Sequence, residues 1–333
     1  MPRVPRVTGQ DVAERAGVSR ATVSYVLNDA PGQPISAETR TRVLAAAADL
    51  GYTPHAAARQ LRTGVSDLIL MALPAWPFSL SLSLAVSTVT HRLGELGYTA
   101  LVDPAAESVA DLETTLGRLQ PIALTASSDQ LSAALVARLR SAGTRAVIGF
   151  GDRPLGFAPA VVFDQTALTR VAMTHLAGRG HRSVLGLMPS DPEYRWFRVG
   201  RQAGAEEAAV EHGVGLTIVE SSLDHDHVAA VVGAALADAS PPDAILAYND
   251  DYALLALRAL LDAGVRVPDD IAVIGCDDLP VAELFTPRLT TIDVDMRELG
   301  TSIADTLHQV LSTGTGPDII PMPAPVVIVR DSA

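Results

Sequence analysis

The 333-residue chain carries three pairs of neighbouring aspartates (Asp250-Asp251, Asp269-Asp270, Asp277-Asp278), eight histidines and one cysteine, Cys276. These are its candidates for acid–base, metal or nucleophilic chemistry. General acid–base work needs carboxylates that converge on one reacting atom, and sequence neighbours point apart on a helix or strand. The pairs read more simply as strand-end loops and helix starts. No His-Glu-x-x-His or similar ligand spacing occurs, and His225-Asp226-His227 reads as a solvated helix start. A lone thiol without a partnered base is a poor nucleophile, and it excludes a disulfide framework or a multi-thiolate zinc site. Gly149-Phe150-Gly151 opens no dinucleotide-binding pattern, and no Walker-type phosphate loop occurs. The expectation is no catalytic residue, no metal, no cofactor and no enzyme.

Another chemistry is available near the N-terminus. An arginine at the start of a helix can fork onto guanine O6 and N7 in a major groove. Arg20 has that position if the surrounding elements form. Gln10 to Ala16 places Val12, Ala13 and Ala16 on one helical face, and Gly17 suits a left-handed helix end. Val18 can plug the turn, and Ser19 is a good N-cap for a second helix over 20–28 with Val23, Val26 and Leu27 inward. Arg20, Ala21 and Ser24 then face outward, with Tyr25 one turn on. A third helix is predicted over 36–50. Two short helices around a glycine-containing turn form a DNA-reading unit, although a plain helical hairpin satisfies the same spacing. Charge leans the same way. Residues 1–64 carry 8 Arg and 5 acidic groups, a net of +3, whereas the remainder carries 17 Arg and 33 acidic groups, a net of −16.

Apolar residues make up 48% of the chain and charged residues 19%, a globular rather than a disordered composition. After Val65, strand-like apolar runs alternate with helical ones. Strands are expected at 68–73, 99–102, 121–125, 145–150, 183–187, 244–247 and 271–274. Helices are expected at 83–96, 109–119, 130–141, 166–177, 198–212, 225–237, 251–263 and 296–311. Such alternation predicts parallel sheets with right-handed crossovers, and ligands at the carboxyl ends of strands. The two tryptophans, Trp76 and Trp196, both fall in loops after such ends, so they are expected to border a cleft from opposite sides, where an indole can pack on the C–H face of a sugar. No run of 18 apolar residues occurs, and the start of the chain lacks the apolar core of a secretory signal. A soluble cytoplasmic protein with no membrane partner is expected.

The run VTGQDVAERAGVSRATVSYVLN closely resembles the N-terminal signature of the lactose-repressor-like (LacI/GalR) family of bacterial transcription regulators. The likeness continues through ISAETRTRVLAAAADLGYTPHAAARQLRTG, with a slightly long loop at 29–34. This resemblance implies that Arg20, Ala21 and Tyr25 read bases, and that Thr8, Ser19, Thr22, Ser24 and Asn28 hold phosphates or fix the helix. It also implies that the segment after Pro54 is a hinge that becomes helical on DNA, with Leu61 wedged into the minor groove beside Ala58. Eight residues are too few for a stable isolated helix, which suits a conditional one.

The body resembles the family too, most closely in PPDAILAYNDDYALLALRALLDAGVRVPDDIAVIGCDDLPVAELFTPRLTTIDVDMRELG, and only loosely over 70–130. The fold implied is an N-terminal all-α helix-turn-helix head plus an α/β, two-lobed, periplasmic-binding-protein-like body with parallel sheets. Its last helix recrosses to the first lobe. Residues 1–53 would form the DNA-binding domain, 54–64 the hinge and 65–333 the effector-binding and dimerisation domain. Matched position by position, Arg201, Asn249, Asp277, Asp152 and Phe78 would contact the effector, and this set suits a polyol. Cys276 stands where the family usually has an aromatic. The implied partners are a pseudo-palindromic double-stranded DNA operator, a small effector, taken as a carbohydrate, and a second copy in a homodimer, with a tetramer as the alternative. Two other readings stay open: a sugar-binding or transport protein of the same body fold, and a sugar-processing enzyme with a fused DNA-binding module.

Overall fold

The computed structural model describes residues 7–27, 35–52, 66–73, 79–104 and 108–333. The chain divides into two compact units, Met1–Asp67 and Leu68–Ala333.

The first unit contains three helices, α1 (Gly9–Ala16), α2 (Arg20–Leu27) and α3 (Ala37–Asp49). Thr8 caps α1 reciprocally with Asp11: the Asp11 amide donates to the Thr8 hydroxyl and the Thr8 amide to the Asp11 carboxylate. Those bonds hold the Asp11 carboxyl below its ordinary range. Gly17 ends α1 at φ 66°, a left-handed conformation that costs glycine little. The Ser19 hydroxyl accepts the Thr22 amide at 3.1 Å and starts α2. Val12, Ala13 and Ala16 of α1, Val23 and Val26 of α2, and Val43, Ala46 and Ala47 of α3 close a small core, with Val18 packed against it from the turn.

In the second unit, a first lobe runs through β1 (Leu68–Ala72), α4 (Leu80–Glu95), β2 (Thr99–Asp103), α5 (Val109–Leu119), β3 (Ala123–Ser127), α6 (Ala133–Ser141), β4 (Ala146–Gly151) and β5 (Ala160–Val162). A second lobe follows with α7 (Gln165–Gly178), β6 (Ser183–Pro189), α8 (Arg195–His212), β7 (Gly215–Ser221), α9 (His225–Leu236), β8 (Ala244–Ala247), α10 (Asp250–Asp262), β9 (Ala272–Ile274) and β10 (Thr291–Asp293). The chain then makes α11 (Met296–Thr313) and β11 (Ile319–Ile320), and finally β12 (Val326–Ile328).

Both main sheets are parallel. The first has the order β11-β5-β4-β3-β1-β2 and the second β7-β6-β8-β9, while β10 and β12 pair antiparallel. Every residue of β4 and β8 is buried, because helices cover both faces of a parallel sheet and each strand must be apolar throughout. The chain therefore crosses between lobes three times: after β5, after β10 and after β11. The helix α11 packs Leu299, Ala304, Leu307 and Leu311 into the core of the first lobe beside Val89 and Leu93 of α4. A Cβ at Gly300 would lie 2.8 Å from the Ala85 carbonyl, so only glycine lets α11 approach α4 this closely.

The elements depart from the sequence expectation mainly at helix starts. α4 begins at Leu80, not 83, because the Ser79 hydroxyl accepts the Leu82 amide. The hydroxyls of Ser83, Thr88 and Thr90 turn back onto the carbonyls of Ser79, Leu84 and Ser87. α8 begins at Arg195, not 198, led in by a 3-10 turn over Pro192–Tyr194. β7, β10, β11 and β12 were not expected, and β7 is a sheet-edge strand whose burial only partly alternates.

Candidate functional site

In the head, Arg20, Ala21 and Tyr25 are all exposed on one edge of α2, with Tyr25 at 38% exposure. Val23 and Val26 anchor the opposite edge in the core. Thr22 and Ser24 are half-buried, and the Thr22 hydroxyl lies 2.9 Å from that of Ser19, so these two groups also serve as the local helix cap. Thr8 and Ser19 are exposed at the starts of α1 and α2. Asn28, the hinge segment with Ala58 and Leu61, and both Trp76 and Phe78 lie outside the described residues.

The body holds a cavity between its lobes. Its polar lining comes from Arg201 on α8, Gln165 at the start of α7, Asn249 and Asp277 after β8 and β9, and Ser79 and Ser81 at the start of α4. Helical spacing decides what α8 contributes. Tyr194, Phe197 and Arg201 follow at i, i+3 and i+7 and face the cavity. Glycines let α8 lie against α7: a Cβ at Gly204 would be 2.3 Å from the Thr166 carbonyl.

Arg201 is buried, and its guanidinium is committed in three directions. Its Nε donates to Gln165 Oε1 at 2.9 Å, its Nη1 to the Tyr248 carbonyl, and its Nη2 lies 3.6 Å from Asp277 Oδ1. The Tyr248 ring lies under it, 4.3 Å from centroid to Cζ. Burial pushes the Asp277 carboxyl up, and Arg201 opposes that shift. Asn249 caps α10 by accepting the Tyr252 amide.

Asp277 and Asp278 both adopt positive φ, 105° and 45°. Non-glycine residues held there cost roughly 1–3 kcal/mol each, so the surroundings must enforce the turn. They do so with backbone and side-chain bonds. The Asp277 amide donates to the Ile292 carbonyl, the Leu279 amide donates to Asp250 Oδ2 at 2.7 Å, and Arg330 pairs with Asp278 at 2.6 Å. Asp250 itself is 0% exposed, and burial raises its carboxyl to about 7 against the hydrogen bonds from Thr291 and Leu279.

Not every residue expected at the cleft reaches this cavity. Asp152 and Trp196 instead line an adjoining, more open groove with Asp164, Glu193, Arg195 and Val199. Trp196 sits on the flank of α8 away from Arg201, and its ring meets Phe163 edge-on at 5.9 Å. Phe163 and Gln165 line both spaces and form the partition. Cys276 is buried in the second-lobe core beneath the cavity, and burial drives its thiol well up, away from a thiolate. Sequence reasoning missed Gln165, Tyr194, Phe197 and Tyr248. The i, i+3, i+7 spacing before Arg201 could have revealed two of them.

Residues 8–55 match the lacI family of bacterial regulatory proteins, and residues 173–333 match a periplasmic binding protein-like domain. The HTH-type transcriptional regulator MalR of Streptomyces coelicolor is 30% identical over 97% of this chain and 95% of its own length. The chain belongs to the lacI family. Two solved structures extend that lacI-family likeness. The Lac repressor dimer bound to operator and the anti-inducer ONPF superimposes with a TM-score of 0.77 at 28% identity, over 98% of this chain and 99% of that one. The transcriptional regulator CelR in complex with cellobiose gives 0.65 at 26% identity, over 98% and 100%. The protein is accordingly a ligand-responsive, DNA-binding transcription regulator with a helix-turn-helix head and a two-lobed body. No helix among its described residues is long and apolar enough to cross a membrane.

Proposed function

We propose that the protein is a repressor that binds a pseudo-palindromic operator as a homodimer and is controlled by a carbohydrate in the interlobe cavity. In this reading residues 1–53 bind DNA through Arg20, Ala21 and Tyr25. Residues 54–64, including Ala58 and Leu61, form the hinge, with Leu61 as the minor-groove wedge. Residues 65–333 bind effector and pair with a second copy. The reading rests on one juxtaposition. Arg201, Asp277, Asn249 and Gln165 stand in a single cavity among Phe163, Tyr194, Phe197 and Tyr248. Carboxylate, amide and guanidinium groups exchange hydrogen bonds with hydroxyls, and aromatic planes receive the C–H faces of a sugar ring. The charge of Arg201 is balanced by Asp277, which favours a neutral ligand. The relative solved with cellobiose adds support from outside this chain.

Operator selection from random DNA, followed by a thermal-shift screen of sugars and nucleobases on the full chain, tests the reading. A sugar that raises the melting temperature and changes operator affinity is the expected outcome. Stabilisation by nucleobases alone overturns the carbohydrate assignment.

A further inference from the structure

Three consecutive amides of the turn after β9, those of Asp277, Asp278 and Leu279, all have acceptors. The Asp277 amide donates to the Ile292 carbonyl at 2.8 Å. The other two lead to a single carboxylate. The Leu279 amide donates to Asp250 Oδ2 at 2.7 Å. The Asp278 amide reaches the Thr291 hydroxyl at a longer 3.4 Å, and that hydroxyl donates to Asp250 Oδ1 at 2.5 Å. The Asp250 amide closes the ring by donating to the Cys276 carbonyl at 2.8 Å. Asp250 is 0% exposed, so it touches no ligand itself, yet it backs the turn whose Asp277 lines the cavity.

The charges at this turn are unevenly matched. Asp277 faces Arg201 at 3.6 Å, and Asp278 pairs with Arg330 at 2.6 Å. Asp250 has no cationic partner among the described residues. It faces Asp277, Asp278 and the Cys276 thiol from the turn, and the uncharged Thr291 from β10. On its own helix, Asp251 turns to the Asn249 side-chain amide, and beyond the turn Glu283 is joined to Arg330. In such a cluster the buried carboxylate without a cation takes up a proton first. Burial accordingly raises the Asp250 carboxyl to about 7. All its side-chain partners are donors, so its surroundings are those of an ionised acceptor. A proton would turn two charge-assisted bonds into neutral ones, roughly half as strong.

We infer that Asp250 is a positioning residue for the effector: ionised, it fixes the turn that presents Asp277 to the cavity, and protonated, it lets that turn slacken. This rests on the reading of Asp277 as an effector contact and adds to it a dependence on pH around neutrality. The sign is distinctive. A buried carboxyl raised to about 7 makes the whole fold less stable as pH rises. The turn itself becomes better held over the same range, because its Leu279 and Asp278 amides then lead to a charged acceptor. A purely structural role for Asp250 gives only the first of these trends.

Hydrogen–deuterium exchange of the full chain without ligand, from about pH 6 to pH 8 and read by mass spectrometry over 276–292, tests this once the intrinsic pH dependence of amide exchange is removed. Protection of the turn is expected to rise about fivefold across that range, the change expected when a charge-assisted bond replaces a neutral one. The rise is expected to vanish in Asp250→Asn. In Thr291→Val it is expected at higher pH, because the hydroxyl that favours the ionised form is gone, and Thr291→Ser is expected to restore it. The Thr291 pair keeps the test decisive if Asp250→Asn fails to fold. Protection that falls or stays flat in the wild type, or a midpoint indifferent to Thr291→Val, overturns the inference. Isothermal titration with cellobiose, maltose, lactose, glucose and galactose at both pH values carries it to the ligand. Tighter binding at the higher pH, lost in Asp250→Asn, is expected, and equal affinity at both overturns the link to effector. No binding by any of these sugars counts against the carbohydrate reading alone, because the exchange profile decides the role of Asp250 without a ligand.

Discussion

The Thr291 hydroxyl donates to Asp250 Oδ1 at 2.5 Å, deep in the second lobe. Asp250 opens α10 next to Asn249, and Thr291 opens β10, the strand that leads back to the first lobe. With its other oxygen Asp250 holds the Leu279 amide, and so the strained turn that presents Asp277. A Cβ at Gly275 would lie 2.3 Å from Asp250 Oδ1, so the neighbouring strand end has to be glycine for this carboxylate to fit.

Stability should therefore depend on Asp250 and pH together. Its carboxyl titrates at about 7 in the folded chain, against an ordinary value of 3.8. Between those values the native state holds a proton that the unfolded state has released. Stability contributed in this way is present at low pH and is lost as pH rises from about 4 to 7. Asp250→Asn should flatten that part of the stability–pH curve measured by urea denaturation. An unchanged slope would mean that Asp250 is not the titrating group.

Arg201→Ala should cost about 3–5 kcal/mol of stability, because it leaves Asp277 buried without its partner, and it also strips the donors from Gln165 and the Tyr248 carbonyl. Arg201→Ala with Asp277→Asn should recover part of the loss. A single-variant cost below about 1 kcal/mol would show that the pair is solvated.

The closeness of α11 to α4 predicts that Gly300→Val destabilises the body by about 1–3 kcal/mol, since the added carbons meet the Ala85 carbonyl and the Thr88 side chain. Thermal unfolding reads this directly. Gly117, whose Cβ would meet nothing, is the control site, and alanine there should be tolerated without comparable loss.

In the head, Arg20→Ala should weaken specific DNA binding by about 1–3 kcal/mol and relax one position of each half-site. Operator selection with wild type and variant compares the two. Identical preferences would remove Arg20 from base reading.

The head was legible because short-range signals fix it. Thr8, Gly17, Ser19 and Ser36 are caps that act within four residues, and the valine spacing selects the buried faces. Arg201, Asn249 and Asp277 were found through family likeness, and they do share a cavity. Asp152 and Trp196 follow strand ends as expected and line the groove beside that cavity; that the Trp196 indole lies on the flank of α8 away from Arg201 depends on the helix phase, and the start of that helix at Arg195 was missed. Gln165 and Tyr248 were invisible for a different reason. Their roles depend on Arg201 arriving from a distant helix, which no local pattern encodes.

The three crossings between lobes bear on how the chain is made. The first lobe is completed by α11 and β11, and the second by β12 and by Ser332, whose hydroxyl donates to the Val273 carbonyl and accepts the Thr290 amide. Neither lobe is a contiguous stretch of sequence. During synthesis the head can close its core once about the first fifty residues have left the ribosome, but each lobe must wait with an open sheet edge or uncovered helix until nearly the whole chain has emerged. A ribosome stalled before residue 296 would thus display a finished head on two unfinished lobes, and this interval is when the nascent chain most needs protection from aggregation.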